Sequence, residues 1–309
     1  MADPAVVAAV ILALALVVDR ALGDPHSPYH PVALLGRLIG WWGRPSRWPV
    51  RWQRAVGIAG FVGTAALFTA PYAVVALLAP SFVLLLAGPF LLKSCLAWRA
   101  LEEHARAVAF ALARDVGAGR EAAGLLVSRE TASLDAEHVL SAAYESVAEN
   151  LVDSIAAPLL FYAAFGLGGA AAYRAVNTMD AMLGYRDERA RIGWASARAD
   201  DILTYVPARI TGAVLLAYFV LVGRGRPAWT CLLRDRDKRP GFNGGIPMAL
   251  IAGGVGVAFE KPGVYVIGTP ERPLSEGGPA IIRAVRAATI GTAILAGGAL
   301  FLWAALANM

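Results

Sequence analysis

Cysteine is nearly missing from this chain: two residues among 309, Cys95 and Cys231, far apart and outside any CxxC. That excludes a disulfide framework and a thiolate zinc site. Histidine is scarce as well, at four residues, and no Ser–His–Asp or Cys–His arrangement stands out. Neither GxxxxGK(S/T) nor GxGxxG occurs, so no nucleotide-binding loop is visible in its own right. Charge is thin, at 17% of residues, and nearly all of the 28 basic residues are arginine. The net charge of +5 comes with no basic patch in a recognisable nucleic-acid motif, which excludes nucleic acid as a partner. What fills the chain instead is apolar: 58% of residues, with no internal repeat or linker. The mean hydropathy of +0.56 indicates a membrane protein rather than soluble domains, with lipid as its surroundings.

The apolar runs set an architecture. Residues 4–18 are uncharged and lack the basic flank of a signal peptide. Ala55 to Leu92 is 38 residues without a charge. One helix of that length would be ~57 Å, nearly twice the hydrocarbon core, so two spans turn near Pro80 and Ser81, with Pro71 as a kink. Residues 287–309 form a terminal span. The expectation is one all-α polytopic membrane domain over 1–309, with four full spans near 4–18, 55–78, 81–99 and 287–309. Re-entrant, interfacial or short apolar segments follow at 154–173, 210–223 and 246–259. Glycines at 166–169 favour a hairpin there over a crossing, since a single crossing would part the polar clusters on either side of it. The stretch 240–259 reads as a glycine-rich loop whose backbone N–H groups could approach phosphate. Between the runs, 93–127 has helical periodicity with charges between apolar positions, an amphipathic helix whose charges face solvent and whose glycines 117, 119 and 124 end it. Arginine with tryptophan over 37–54, and six Lys or Arg against two Asp over 224–239, place the polar segments on the cytoplasmic side, with both termini periplasmic.

Residues 128–209 break this pattern. Ser141, Glu145, Glu149 and Asp153 recur every four residues, drifting only ~40° per step on a helix. Tyr173, Asn177, Asp180 and Gly184 form a second face, and Arg198, Asp200, Asp201 and Arg209 follow. Like charges on one face repel unless cations offset them, and Mg²⁺ takes one or two carboxylates plus phosphate oxygens and water. The functional reading is a Mg²⁺–phosphate site at a membrane surface; the bland alternative is a solvated face. Thr131 or Ser133 could cap the acid-striped helix, and Ser128 and Arg129 could bind phosphate near its start. Upstream, Asp24, His26 and His30 could ligate a metal, but prolines interrupt any helical spacing, so a rigid turn is favoured.

The strings SAAYESVAENLVDSIAAPLLFY, AAYRAVNTMDAMLGYRDER and GWASARADDILTYVPAR resemble the CbiB or CobD family, the adenosylcobinamide-phosphate synthases of cobalamin (vitamin B12) biosynthesis. The opening DRALGDPHSPYHPVALLGRLI resembles the same family, and the likeness covers most of the chain. The loop Gly241–Phe242–Asn243–Gly244–Gly245 departs from the family's pattern. The resemblance implies an inner-membrane, multi-pass carbon–nitrogen ligase with its active site facing the cytoplasm. It would join (R)-1-amino-2-propanol, or its O-phosphate, to a propionate carboxylate of adenosylcobyric acid, using ATP and Mg²⁺. Other late cobalamin-pathway membrane enzymes are the implied partners. On this reading Glu145, Glu149 and Asp180 are catalytic. Metal ligands come from these three with Asp153, Asp200 and Asp201. Asp24, His30, Ser128, Arg129, Asn150, Tyr173, Arg174, Asn177, Arg198, Arg209 and Asn243 bind substrate. The alternatives are a membrane phosphotransferase of the CDP-alcohol type, whose repeated Asp-Gly pattern is absent, and a corrinoid transporter, whose paired inverted halves are absent.

Overall fold

The computed structural model describes residues 3–24, 27–127 and 129–307. It is helical almost throughout. Among the described residues five helical stretches are long and apolar enough to cross a membrane: Pro4–Leu22, Gln53–Leu78, Ser81–Leu112, Ala136–Leu183 and Leu274–Leu306. The protein is an all-α polytopic membrane protein carrying one two-stranded hairpin. The fold divides into two compact units, each built from discontinuous segments: residues 1–97, 157–204 and 293–309, and residues 98–156 and 205–292.

The first unit holds α1 (Pro4–Leu22), α2 (Pro31–Trp42), α3 (Gln53–Leu78) and α4 (Ser81–Lys93). It continues with α8 (Ala157–Leu183), α9 (Trp194–Leu203) and the end of the last helix. Local chemistry sets the helix starts. Asp3 accepts from Ala5 N ahead of Pro4, and His30 Nδ1 accepts from Val32 N ahead of Pro31. Pairs α1–α4 and α3–α8 pack against each other. Leu35, Ile39, Trp42, Met179, Leu183 and Ile192 form a core between α2 and α8. Only 11% of the most apolar window of α3 is buried in the protein, which leaves Val62, Leu67 and Leu77 as an outward apolar face suited to acyl chains.

Helix α8 reverses in its middle. Gly166 has φ 65°, which glycine adopts without strain. The rings of Phe161 and Tyr173 then stack with centroids 5.0 Å apart, whereas a straight helix would set those residues ~18 Å apart along its axis. Gly169 lies where the arms meet, its Cβ position 2.6 Å from Phe161 O, so no larger residue fits.

The second unit holds α5 (Trp98–Leu112), α6 (Val116–Gly124), α7 (Ala136–Leu151), α10 (Tyr205–Leu221), α11 (Gly225–Asp235) and α12 (Gly245–Val255). Strands β1 (Ala258–Lys261) and β2 (Tyr265–Gly268) pair antiparallel, and α13 (Leu274–Ala307) begins here. The hairpin is pinned twice: Gly268 N donates to Asp235 Oδ2 at 2.8 Å, and Glu260 N donates to Ser141 Oγ at 2.7 Å. Asp235 has no solvent exposure. Burial opposes its charge, yet hydrogen bonds from Arg234, Lys238 and Gly268 hold its carboxyl far below the usual range.

Several expectations need correction. The run expected over 81–99 stops being helical after Lys93 and a new helix begins at Trp98. The 210–223 segment belongs to a 17-residue helix, α10. The expected loop at 240–259 contains the buried helix α12 and then β1. Glycines 117 and 119 sit inside α6, which Asp115 caps through Ala118 N. Asp135, not Thr131 or Ser133, caps α7, accepting from His138 N at 2.9 Å. Finally, the charges of α5 are not all solvated. Glu102 is fully buried and accepts from Trp98 Nε1 and both Arg106 and Arg286.

Candidate functional site

Helix α7 carries the acid stripe, burying Ser141 and Glu145 and leaving Glu149 partly exposed. Ser141 is 1% exposed and Glu145 5%, so that part of the face is not solvated. Glu145 accepts from three donors. Arg129 reaches Oε1 at 3.2 Å, Ser141 Oγ donates to the same oxygen, and Tyr265 of β2 donates to Oε2 at 2.6 Å. Ser141 is therefore shared: it donates to Glu145 and accepts from β1. One helical turn on, Glu149 pairs with Arg239, which also donates to Pro240 O at 2.8 Å. Burial opposes the Arg239 charge, but Glu149, Tyr265 and Asp153 together outweigh it and raise the pKa. Burial, then Glu145, pushes the Tyr265 phenol well above its usual value, so it stays a donor.

Beyond Leu151 the backbone widens into a π turn over Val152–Ala156. Such turns shift the helical register and recur at functional sites. Asp153 lies in it, and its charge still acts on Arg239 alongside that of Glu149. Asn150 donates to Ser146 O at 2.9 Å and accepts from Ser154 Oγ at 3.2 Å. Arg209 donates to Asn243 Oδ1 at 3.1 Å and covers the Tyr205 ring at 3.3 Å. These groups all belong to the second unit.

The other candidates lie in the first unit. Asn177 Nδ2 donates to Asp200 Oδ1 at 3.3 Å, and Tyr173 and Thr204 share a hydrogen bond of 3.0 Å. Burial, followed by the charges of Asp180 and Asp201, pushes the Asp200 carboxyl up to about 7. Gly184 gives the Asp180 side chain its space: a Cβ there would lie 2.0 Å from Asp180 Oδ1. Elsewhere in this unit Asp24 pairs with Lys93, which is 5% exposed, and with His30 at 3.8 Å. Burial lowers the His30 pKa despite Asp24, and the charges of Lys93 and Arg174 add to the fall. Arg198 is exposed. Ser128 and His26 fall outside the described residues. A cavity of about 830 Å³ lined by Arg44, Trp48, Glu188 and Arg191 contains none of the expected site residues.

Sequence reasoning missed Arg239, Tyr265, Lys93 and Glu102. Arg239 was only the last of a basic run. Tyr265 sits on a hairpin signalled faintly by Pro262–Gly263 between short runs rich in aromatic and β-branched residues. As for Mg²⁺, Glu145 already accepts from three donors and Glu149 from Arg239. Among the described residues no three His, Cys, Asp or Glu converge to hold a metal. The described residues supply no all-protein cage, and their carboxylates suit an ion that brings phosphate oxygens with it.

A family model described as CobD/Cbib protein matches residues 12–294. The chain is 40% identical over 262 residues to a probable cobalamin biosynthesis protein CobD of Methanothermobacter thermautotrophicus, covering 84% of this chain and 86% of that one. It is 42% identical over 255 residues to the corresponding protein of Thermococcus kodakarensis, covering 82% of each. Cobalamin biosynthesis protein CobD of Dehalococcoides mccartyi is 38% identical over 272 residues, or 85% of this chain and 88% of that one. No solved structure matches.

Proposed function

This chain belongs to the CobD/CbiB family of cobalamin biosynthesis proteins, and from that premise we propose that it is the amide-forming ligase of the pathway. The proposed reaction joins (R)-1-amino-2-propanol or its O-phosphate to a propionate carboxylate of adenosylcobyric acid. An amide does not form from a carboxylate and an amine in neutral water without activation. We therefore propose ATP as the source of an acyl phosphate, with Mg²⁺ arriving on its phosphates. The observation that carries this reading is the paired set of Arg129–Glu145, largely buried, and Arg239–Glu149, partly exposed, on one face of α7. Such a set offers guanidinium groups to phosphate and carboxylate oxygens and carboxylates to an ammonium group.

In this proposal Glu149 takes a proton from the substrate ammonium group, freeing the amine that attacks the acyl phosphate and expels inorganic phosphate, and Asp180 is the corresponding candidate in the first unit. Glu145, with its oxygens occupied, holds Arg129 and Tyr265 in place. Asn150, Asn177, Arg174 and Arg209 orient substrate. Asp153, Asp200 and Asp201 are the remaining carboxylates that could add to a metal's shell. The arginine-bearing segments suit the cytoplasmic side of a cell membrane, which is where a nucleotide-dependent enzyme would meet its co-substrate.

The test is turnover by the protein purified in detergent, supplied with adenosylcobyric acid, the amine and MgATP. Product that requires both amine and ATP supports the ligase. Transfer from a nucleotide-linked alcohol, or corrinoid uptake by proteoliposomes without chemistry, would replace it with the phosphotransferase or the transporter.

A further inference from the structure

Arg129 and Glu145 form an unequal pair. Both are largely enclosed, with 15% and 7% of their side chains exposed. The carboxylate is satisfied, accepting from Arg129, Ser141 and Tyr265. The guanidinium is not. It gives Glu145 one nitrogen, at 3.2 Å, while Nε and Nη1 are buried without an acceptor. A guanidinium carries five donors, and a buried donor left unpaired is costly. The contact itself is longer than the ~2.7–2.9 Å of a close charge-assisted bond. A countercharge meant only to neutralise Glu145 would close on it with two nitrogens. Arg239 lies near as well, since its charge acts on Tyr265 alongside those of Glu145 and Glu149.

We propose that Arg129 anchors an oxyanion subsite in the second unit. Its Nε and Nη1 take phosphate or carboxylate oxygens, and Glu145 holds the third nitrogen so that those two stay presented. Glu145 is here a positioning residue. The subsite rests on the ligase reading for its biological ligand, because the proposed substrates carry both a phosphate and a propionate. Its test does not need turnover.

The experiment titrates the detergent-solubilised full chain with inorganic phosphate and, separately, with propionate. Ionic strength is held with chloride, and melting temperature and calorimetry are read. Wild type should bind at least one of the two saturably, and chloride alone should not raise the melting temperature. The anion that binds identifies a phosphate or a carboxylate as the ligand. Arg129→Met should weaken that binding at least about tenfold, as expected for losing a charge-assisted bond. Glu145→Gln keeps an amide oxygen to hold the third Arg129 nitrogen but removes a competing negative charge, so it should bind the same anion at least about threefold more tightly and gain more melting temperature from it. The proposal is overturned if neither anion binds wild type, or if Arg129→Met binds as wild type does. Should Arg129→Met fail to fold, Glu145→Gln decides, and unchanged or weaker affinity overturns the subsite. Oxyanion binding in a protein without ligase activity would retain the subsite and remove the ligase reading; turnover without oxyanion binding would do the reverse.

Discussion

Tyr265→Phe isolates the link between the hairpin and the acid helix. The substitution removes one hydroxyl and keeps the ring. What is lost is the 2.6 Å hydrogen bond to Glu145 Oε2. Bonds to charged groups contribute about 1.5–3 kcal/mol. Glu145 is 5% exposed, so water cannot readily replace the donor, and about 2 kcal/mol is the expected loss. For a chain of this size that corresponds to a fall of about 4 °C in melting temperature in detergent. Tyr29→Phe, at a residue 79% exposed, is the control and should not shift the melt. Burial and Glu145 raise the Tyr265 pKa, so the native phenol stays protonated and its stabilisation is fully present below the unfolded value near 10.0. The deficit should therefore be the same at about pH 6 and about pH 9. In a Glu145→Gln background the further loss from Tyr265→Phe should shrink, since the charged acceptor is gone. A shift under about 1 °C, or full additivity in that background, would refute the bond.

Three further outcomes are expected. Glu149→Gln should stay within about 3 °C of wild type, because its pair with Arg239 is partly exposed, yet lose at least ~100-fold in amide synthesis; activity within a few-fold of wild type would move the base elsewhere. Asp200 carries a folded pKa near 7 against 3.8 in the unfolded chain, so the native state holds a proton that the unfolded state releases. Stability should fall as pH rises through that window and then level off, and Asp200→Asn should flatten the slope and melt higher than wild type at about pH 8. Single cysteines at Arg47, Arg120, Arg189 and Arg236, with Cys95 and Cys231 replaced, should resist a membrane-impermeant thiol reagent in intact cells; labelling at Arg189 but not Arg120 would set the polar segments on opposite faces.

Much of the scaffold was legible because lipid imposes a simple rule on composition. The 38 uncharged residues of 55–92 are too long for one span and break into two helices, with Pro80 marking the turn between α3 and α4. The Ser141–Glu145–Glu149 stripe was legible because α7 is regular there. Periodicity misled at Glu102, where an amphipathic pattern assigned to solvent a carboxylate that Trp98, Arg106 and Arg286 enclose.

By itself the sequence determined the chain's class, its family and which helix would carry paired acids, because these follow from hydropathy, spacing and extended motifs. Tertiary structure decided what those acids do. Arg129 is 16 residues from Glu145, Arg239 is 90 from Glu149 and Tyr265 is 120 from Glu145. No local rule links such distant positions. Only packing of the hairpin and the α11–α12 connection against α7 turns a repelling stripe into a set of ion pairs, one largely buried and one partly exposed. That same packing leaves the Arg129 guanidinium with two buried nitrogens that have no acceptor among the described residues.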